Sequence, residues 1–371
     1  MTRMRVDKIL IAGDFQPDRL GASYERAFRT LGLGVTRFDI GLERARLTWP
    51  ARNRWLHRLS IRSLAARRHW SERFNAELVG QARKENVPWV LLHNAEWVMP
   101  ETVRVLRGEG RAVAVYQADN PFPPHYNNRP ETLPAAREAD VYFVWSRRLA
   151  AKLQGAGVNG QFLAFGWDPE IFPYQGSVAQ GSWPGAVFIG NWDREREQFL
   201  DEIAAKVPLR IYGSSYWGTR TSRTSPARRA WQGRQLTMSE AARALRESAV
   251  ALNVLRTQHL VDGAYDGVIM RHFEVPGAGG LLLSTRSGVA TDLFEPGQSG
   301  LYFETVNECV DQCRWLIADS ELRMRLAEQA HALVEREHTY VHRAREMVAA
   351  LVACSERRQA GGWTSRQGSC S

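Results

Sequence analysis

The sequence lacks the features of membrane-spanning and secreted proteins. No apolar run in its 371 residues approaches the roughly 20 needed to cross a bilayer. Residues 1–5 lead straight into a strand-like run, without the apolar core and cleavage site of a signal peptide. We therefore expect a cytoplasmic protein that folds as about two domains, on a prior of roughly 150 residues each.

Cysteine is also scarce, and no metal-ligand cluster is visible. The four cysteines all lie late in the chain, at Cys309, Cys313, Cys354 and Cys370. Cys309 and Cys313 are four residues apart on a predicted helix, and no His or Cys cluster completes a metal site around them. The sequence predicts free thiols and no metal centre.

What the sequence has in excess is arginine. The formal net charge is +9 and the isoelectric point is near 9.7, which favours acidic partners such as nucleotide phosphates or anionic lipids. Nucleic acid is not expected as a partner, because no recognition helix or RNA-binding motif accompanies the charge. The excess lies in two clusters: Arg44, Arg46, Arg52, Arg54, Arg58, Arg62, Arg67, Arg68 and Arg73, then Arg220, Arg223, Arg228, Arg229 and Arg234.

The first half alternates buried strands with helical patterns, which predicts a parallel sheet covered on both faces. The predicted strands are residues 8–13, 35–39, 88–93, 111–117, 140–146 and 161–165. Ligands bind at the carboxyl edge of such sheets. The polar side chains that follow these strands, among them Asp14, His93 and Asp119, are therefore candidates for a site.

A basic helical region, about residues 52–84, separates the second and third strands. Trp55 and Trp70 interleave with its arginines. One interpretation is a pair of helices that cover the core and turn a cationic face to solvent. The other is an interfacial surface that contacts anionic lipid or a lipid-linked substrate at the inner face of the membrane.

The second half repeats the alternation after a connector, residues 166–185, that is rich in Gly and Pro. Strands are predicted at residues 186–190, 209–213, 249–255 and 281–284. Thr237 with Glu240, and Thr305 with Glu308, form capping boxes that start helices. Residues 214–233 are expected to be an irregular basic loop, and the polar tail 355–371 to be disordered.

The stretch Arg271–Gly280 joins a helical turn, a Gly cluster and a buried strand, as in nucleotide sites of α/β folds. Glu274 could accept hydrogen bonds from a ribose diol, and Arg271 lies one helical turn earlier, where it could contact a diphosphate. The alternative is a Gly-capped amphipathic helix with a surface Arg–Glu pair.

The second half contains a series of segments at residues 188–196, 211–213, 251–254, 271–280 and 338–343. In content and order this series resembles the CgeB-like glycosyltransferases. In the first half, residues 117–121 and 165–169 look like the corresponding segments of that family. The resemblance implies the GT-B architecture: two doubly wound Rossmann-like domains that face a cleft, with a C-terminal helix packing back on the first. The implied divisions are an acceptor domain 1–166, a linker 167–185, a donor domain 186–335, a crossover helix 336–354 and the tail.

The resemblance also implies roles for residues of the donor domain, with a UDP-sugar as the expected donor. Glu274 would bind ribose, and Gly277, Gly279 and Gly280 would form the close-approach loop. Gly190 would let the diphosphate pass, and Tyr212 and Gly213 lie where the base stacks. Arg196 and Arg271 are candidates for the leaving diphosphate. Asn191, Arg194 and Asn253 are further donor-site candidates.

The implied reaction moves a sugar to an acceptor hydroxyl of a glycan, a lipid-linked molecule or a small metabolite. No metal is expected, because the chain has no Asp-x-Asp triplet and Asp262-Gly263…Asp266 matches one poorly. An inverting enzyme needs a base, for which Asp119 is the first candidate and Asp14, His93 and His125 follow. Asp119-Asn120-Pro121 could instead be a turn that ends the strand. An epimerase or phosphorylase on the same fold, or a non-catalytic coat module, remains an alternative.

Overall fold

The computed structural model describes residues 7–42, 64–94, 97–122, 130–176 and 183–360. The chain divides into two compact units. The first runs to Val144, resumes over Leu149–Leu163 and takes up the chain again at Ala344, whereas the second holds Trp145–Arg148 and Ala164–Arg343. The first unit thus differs from the expected acceptor domain 1–166, because it lacks residues 145–148 and 164–166 and includes the chain from Ala344.

The first unit is built on a six-stranded parallel sheet in the order β2-β1-β3-β4-β5-β6. Its central strands are fully buried runs, as expected for a sheet covered on both faces. The strands are β1 (Lys8–Gly13), β2 (Gly34–Asp39), β3 (Trp89–His93), β4 (Ala112–Gln117), β5 (Val141–Val144) and β6 (Gly160–Phe162). The helices between them are α1 (Leu20–Thr30), α2 (Leu64–Lys84), α3 (Pro100–Gly108), α4 (Thr132–Glu138) and α5 (Arg147–Gly155).

The second unit is built on a five-stranded parallel sheet in the order β13-β12-β9-β7-β8. The strands are β7 (Trp183–Ile189), β8 (Leu209–Tyr212), β9 (Ser248–Asn253), β12 (Leu282–Thr285) and β13 (Leu301–Phe303), with β10 (Leu260–Val261) and β11 (Ala264–Tyr265) as a small antiparallel pair. The first helices are α6 (Arg194–Ala204), α7 (Tyr216–Thr219), α8 (Pro226–Ala230) and α9 (Met238–Glu247). The later ones are α10 (Arg271–Gly277), α11 (Gly288–Leu293), α12 (Val306–Ala318), α13 (Ser320–Glu337) and α14 (Tyr340–Ala360).

Both predicted capping boxes are confirmed, at Thr237 with Glu240 and at Thr305 with Glu308. Each threonine accepts a backbone N–H of the first helical turn while its glutamate reaches back to the cap. Cys309, Cys313 and Cys354 are buried thiols that form no disulfide among the described residues, and Cys370 lies outside those residues.

Two expectations about irregular segments were wrong. Residues 214–233 contain the short helices α7 and α8. Their arginines hold the segment together, because Arg228 Nη1 donates to the Thr221 carbonyl at 2.8 Å and Arg229 Nη1 to the Thr224 carbonyl at 2.6 Å. The tail expected to be disordered from Ser355 instead continues α14 as far as Ala360.

The basic region between β2 and β3 is described only in part. Helix α2 covers its second half, and Trp70 is buried there at 7% exposure. Trp55, Arg58 and Arg62 lie outside the described residues. Across the described ranges, no helix has the length and apolar character needed to cross a membrane.

Candidate active site

The candidate site lies at the carboxyl edge of the sheet in the second unit, where β7 leads into α6. Asp193 caps α6, and its Oδ1 accepts the backbone N–H of Arg196 at 2.9 Å. Such a cap leaves the other carboxylate oxygen available to a neighbour. That neighbour is Arg256, whose Nε donates to Asp193 Oδ2 at 2.9 Å.

Arg196, predicted to contact the leaving diphosphate, is buried at 8% exposure. Its Nε and Nη2 both donate to the carbonyl of Val254, at 3.0 and 2.6 Å. Burial lowers its pKa to about 10, and the positive charge of Arg256 adds to that lowering. Arg196 therefore ties the loop after β9 to the start of α6, with most of its donors already used.

Arg256 is the site residue that the sequence analysis did not name. It follows β9 by three positions, and its side chain is 24% exposed. An arginine directly after a fully buried parallel strand is the signal that would have found it, because ligands bind at that edge.

Arg271 and Glu274 form an ion pair on the first turn of α10. Arg271 Nη1 donates to Glu274 Oε2 at 2.8 Å, and Arg271 Nη2 reaches the carbonyl of Ile189 at 3.4 Å. Glu274 is buried at 8% exposure, and burial raises its pKa while Arg271 opposes the rise. An Arg–Glu pair was expected here as the alternative to a nucleotide site, but as a surface pair, whereas Glu274 is buried.

Three guanidinium groups thus converge at this edge, from Arg196, Arg256 and Arg271. Arg196 and Arg256 both approach Asp193 Oδ2, at 3.7 and 2.9 Å, and the positive charges of Arg256 and Arg271 both lower the pKa of Arg196. Asp193 pairs with Arg196 and Arg256, and Glu274 pairs with Arg271. Glu195 lies at the exposed rim, where its carboxylate accepts the Thr257 hydroxyl at 3.1 Å. A diphosphate could replace the carboxylates as the partner of Arg256 and Arg271.

A buried polar chain fixes the backbone just before α10. Asn253 Nδ2 donates to Ser284 Oγ at 2.9 Å, and Ser284 Oγ lies 3.2 Å from His272 Nε2. The Ile269 N–H donates to His272 Nδ1 at 3.2 Å. Burial lowers the pKa of His272 to about 4, so the ring is neutral. Asn253, predicted as a donor-site residue, therefore acts inside the fold by holding this turn.

The glycines at the end of α10 and just after it pack closely against the protein's own chain on the side that a Cβ would occupy. A Cβ on Gly277 would lie 2.2 Å from the Trp167 ring, one on Gly279 would lie 2.4 Å from the Gly176 carbonyl, and one on Gly280 would lie 2.6 Å from the Leu245 carbonyl. Gly279 also has a φ of +87°, which favours glycine. On that side the close approach is to the protein's own chain, and contact of these glycines with a donor stays a prediction.

The other predicted donor residues follow β7 and β8. A Cβ on Gly190 would lie 2.8 Å from the Phe188 ring and 3.5 Å from Arg196 Nη1. Gly213 packs directly on the Gly190 carbonyl, which also accepts the Trp217 indole N–H at 2.9 Å. Gly190 and Trp217 therefore close Gly213 on the side that a Cβ would occupy.

Tyr212 and Arg194 stand apart from the arginine cluster, whereas Asn191 contacts it through its backbone. Tyr212 lies on the sheet face that packs against α9, beside Arg210 and Arg234. Asn191 and Arg194 are exposed, and the Asn191 carbonyl accepts Arg196 Nη1 at 3.4 Å. The structure thus brings Gly190, Asn191, Arg196, Arg271 and Glu274 to one edge of the sheet.

The predicted acid–base residues of the first unit end neighbouring strands. Asp14 follows β1, where its Oδ1 accepts the Gln16 N–H at 3.0 Å, and its side chain is 45% exposed. Asp119 follows β4 and is half-buried. The turn beside it is formed by Asn120, whose Oδ1 accepts the Phe122 N–H at 3.0 Å.

His93 ends β3 but is enclosed. The ring is buried at 6% exposure against Tyr24, at 5.1 Å between ring centroids, and among the described residues neither ring nitrogen has a hydrogen-bond partner. Burial lowers its pKa to about 3. Because a catalytic base must reach the acceptor hydroxyl, His93 does not fit that role here. His125 lies outside the described residues.

Asp266, the last residue of the poorly matching acidic group, is engaged within the second unit. Its Oδ2 accepts the Ser146 hydroxyl at 2.7 Å and the Arg148 N–H at 2.8 Å. No cluster of three potential metal ligands occurs in the part of the chain that the structure describes.

Comparisons with known proteins relate the chain to sugar-transferring enzymes. Residues 194–349 match the profile of a family described as glycosyl transferase-like. A search of curated proteins finds no match.

Among solved structures, the chain is similar to a sucrose-phosphate synthase from Thermosynechococcus elongatus, at 14% identity and a TM-score of 0.62, over 96% of this chain and 100% of the other. It is similar to an α,α-trehalose 6-phosphate synthase from Burkholderia multivorans, at 13% identity and a TM-score of 0.60, over 98% of this chain and 100% of the other. It is also similar to HepE from Anabaena in complex with UDP-glucose, at 13% identity and a TM-score of 0.60, over 93% of this chain and 99% of the other. At these identities the likeness shows the fold, which is GT-B, with a parallel sheet in each of two Rossmann-like domains.

Proposed function

We propose that this protein is a glycosyltransferase that moves a sugar from a nucleoside-diphosphate sugar to an acceptor hydroxyl. The observation that carries the proposal is the convergence of Arg256, Arg271 and Glu274 at the carboxyl edge of a parallel sheet, where such folds bind nucleotides. The glycosyl transferase-like profile covers all three residues. HepE, which shares the fold, binds UDP-glucose, and this supports a UDP-sugar as the donor.

The arginines would act on the leaving group. Breaking the bond between the anomeric carbon and the diphosphate places negative charge on the departing oxygens, and cations already in place stabilise that charge. Arg256 would exchange its contact with Asp193 for one with the diphosphate, and Arg271 would donate hydrogen bonds to both Glu274 and the diphosphate. Arg196 would position both loops through the Val254 carbonyl. These guanidinium groups would neutralise the leaving group in a metal-independent reaction.

Glu274 would bind the ribose diol of the donor. Its Oε2 is committed to Arg271, which leaves Oε1 for a hydroxyl. Arg271 also favours the ionised form of the carboxyl, against the effect of burial on the pKa. An ionised carboxylate is the stronger hydrogen-bond acceptor.

The acceptor and its base belong to the first unit in this proposal. Asp119 remains the first choice of base and Asp14 the second, because both follow strands of one sheet at its carboxyl edge. The acceptor would be a glycan, a lipid-linked sugar or a small metabolite, in a reaction of the CgeB-like kind. The arginines around residues 52–73 could hold the protein against an anionic membrane at the cytoplasmic face.

A thermal-shift panel of UDP, GDP, TDP and CMP sugars tests the proposal first, since a bound ligand raises apparent stability by mass action. The ligand that stands out should then support sugar transfer to acceptors in a glycan extract. Arg256→Ala should lose both responses, whereas the matched control Arg286→Ala, whose exposed side chain pairs with Glu304, should keep them.

Two outcomes would contradict the proposal. If no nucleotide sugar raises the melting temperature, the site is not a donor site. If the sugar exchanges a carbon-bound proton with solvent without transfer, the protein is an epimerase rather than a transferase.

A further inference from the structure

A pocket in the second unit lies on the opposite face of the sheet from α6. Val187 and Arg210 are register partners on β7 and β8, and both line the pocket. The next register pair, Phe188 and Ile211, faces the other way into the core that includes α6. The pocket encloses about 160 Å³ between β8 and α9, and its lining includes Trp183, Tyr212, Arg234, Leu236, Glu240, Arg243, Ala244 and Glu247.

The acidic side chains of this pocket already have partners. Glu240 accepts Arg234 at 2.7 Å and the Thr237 N–H at 2.8 Å, and these hydrogen bonds lower its pKa to about 2. Glu247 contacts Arg246 at 3.4 Å. Both carboxylates thus have partners other than Arg210 and Arg243.

Arg210 and Arg243, by contrast, have no acidic partner in the described residues. The guanidinium of Arg210 stacks on the Trp183 ring at 3.8 Å from the centroid. Within the described residues, the guanidinium groups of Arg210 and Arg243 make no hydrogen bond and no ion pair. Stacking orients the planar guanidinium and leaves its N–H edge to a ligand. Because Arg210 is a half-buried strand residue, this unpaired charge faces a concave wall rather than open solvent.

We propose that this pocket binds a small phosphomonoester. Arg210 and Arg243 would hold the phosphate, since a guanidinium donates two parallel N–H bonds to phosphate oxygens. Val187, Leu236 and Ala244 would contact a short carbon portion. A cavity of roughly 150 Å³ holds a single benzene ring, which is about the size of a few carbons and a phosphate. Because the pocket lies on the opposite face of the sheet from α6, the site is separate from the proposed donor site and does not depend on it.

Calorimetric titration of the full chain with glycerol 3-phosphate tests this proposal, with inorganic phosphate and glycerol as further probes. Glycerol 3-phosphate should bind at one site, inorganic phosphate more weakly, and glycerol not at all. Loss of one charged hydrogen-bond pair corresponds to roughly 10–100-fold in affinity, so Arg243→Ala should weaken binding by at least about tenfold. The double variant Arg210→Met with Arg243→Ala should abolish it.

The matched control is Arg314→Ala, an arginine of α12 whose side chain is 59% exposed and lies outside the pocket. It should leave the affinity unchanged. Saturating UDP should also leave it unchanged, as should Arg256→Ala, which disables the proposed donor site. Arg243 is an exposed helix residue, so its replacement keeps the test valid if the double variant unfolds.

The proposal is overturned by three results. Wild-type protein that binds no glycerol 3-phosphate at millimolar concentration has no such site. Equal weakening by Arg314→Ala would show diffuse attraction to a basic protein. Displacement of the phosphomonoester by UDP would assign the pocket to the donor site instead.

Discussion

Replacement of Glu274 by alanine tests the ribose-binding role at the residue where geometry and charge are best defined. The carboxylate is buried, and Arg271 holds one of its oxygens at 2.8 Å. Loss of a hydrogen bond to a charged group costs about 1.5–3 kcal/mol, which corresponds to roughly 10–100-fold in the Kd of a nucleotide. The fold should survive, because the side chain of Arg271 is 22% exposed and can regain water. We expect a loss of about 1 kcal/mol in the free energy of unfolding.

The assay is calorimetric titration with UDP and with 2′-deoxy-UDP. If Glu274 binds the ribose diol, wild-type protein should prefer UDP, and Glu274→Ala should bind both nucleotides equally. Glu304→Ala is the matched control, because Glu304 also pairs with an arginine but is 66% exposed. Unchanged affinity for UDP, or a preference for UDP that survives in Glu274→Ala, would refute the role.

Four further predictions concern packing, charge and surface. Gly277→Ala should lower the free energy of unfolding by about 1–3 kcal/mol, because the new Cβ clashes with Trp167, and should leave nucleotide affinity unchanged. Chemical denaturation measures the stability and calorimetric titration measures the affinity. A loss of affinity without a loss of stability would indicate that Gly277 contacts the ligand. Transfer activity should survive EDTA, and abolition by the chelator with rescue by magnesium would contradict the metal-independent reaction. Burial lowers the pKa of His272 from 6.5 to about 4, so its contribution to stability is present above pH 6.5 and lost as the pH falls towards 4. In urea unfolding between these pH values, the free energy of unfolding should depend less steeply on pH in His272→Gln than in wild type. An equal pH dependence in the two proteins would contradict this. The protein should co-sediment with anionic vesicles at low salt, and changing Arg58, Arg62, Arg67 and Arg68 to Glu should abolish this; sedimentation indifferent to the four changes would remove the membrane contact.

The sheets could be predicted because their strands are continuous apolar runs. Residues 88–93 and 111–117 have no amphipathic alternation, and the strands β3 and β4 are buried at every position. The capping boxes were equally visible, since they depend on two side chains three residues apart. Local patterns of this kind determine element type without knowledge of the tertiary structure.

The roles of single residues were less predictable because they depend on distant contacts. The spacing of Gly277 and Gly279 is the same whether a ligand or another part of the chain, such as Trp167 at Gly277, approaches the backbone. Arg196 precedes Val254 by 58 positions, so no local pattern shows that this carbonyl uses its donors. The failure at His93 has a similar cause, since its enclosure by Tyr24 depends on helix packing.

A crystal structure of the protein with UDP would show whether this edge of the sheet is the donor site. We expect the diphosphate oxygens within hydrogen-bonding distance of Arg256 and Arg271, and a ribose hydroxyl hydrogen-bonded to Glu274. The same structure should show the Arg256–Asp193 contact of 2.9 Å opened by the phosphate. A nucleotide bound away from these residues, with the Asp193 and Glu274 pairs intact, would contradict it.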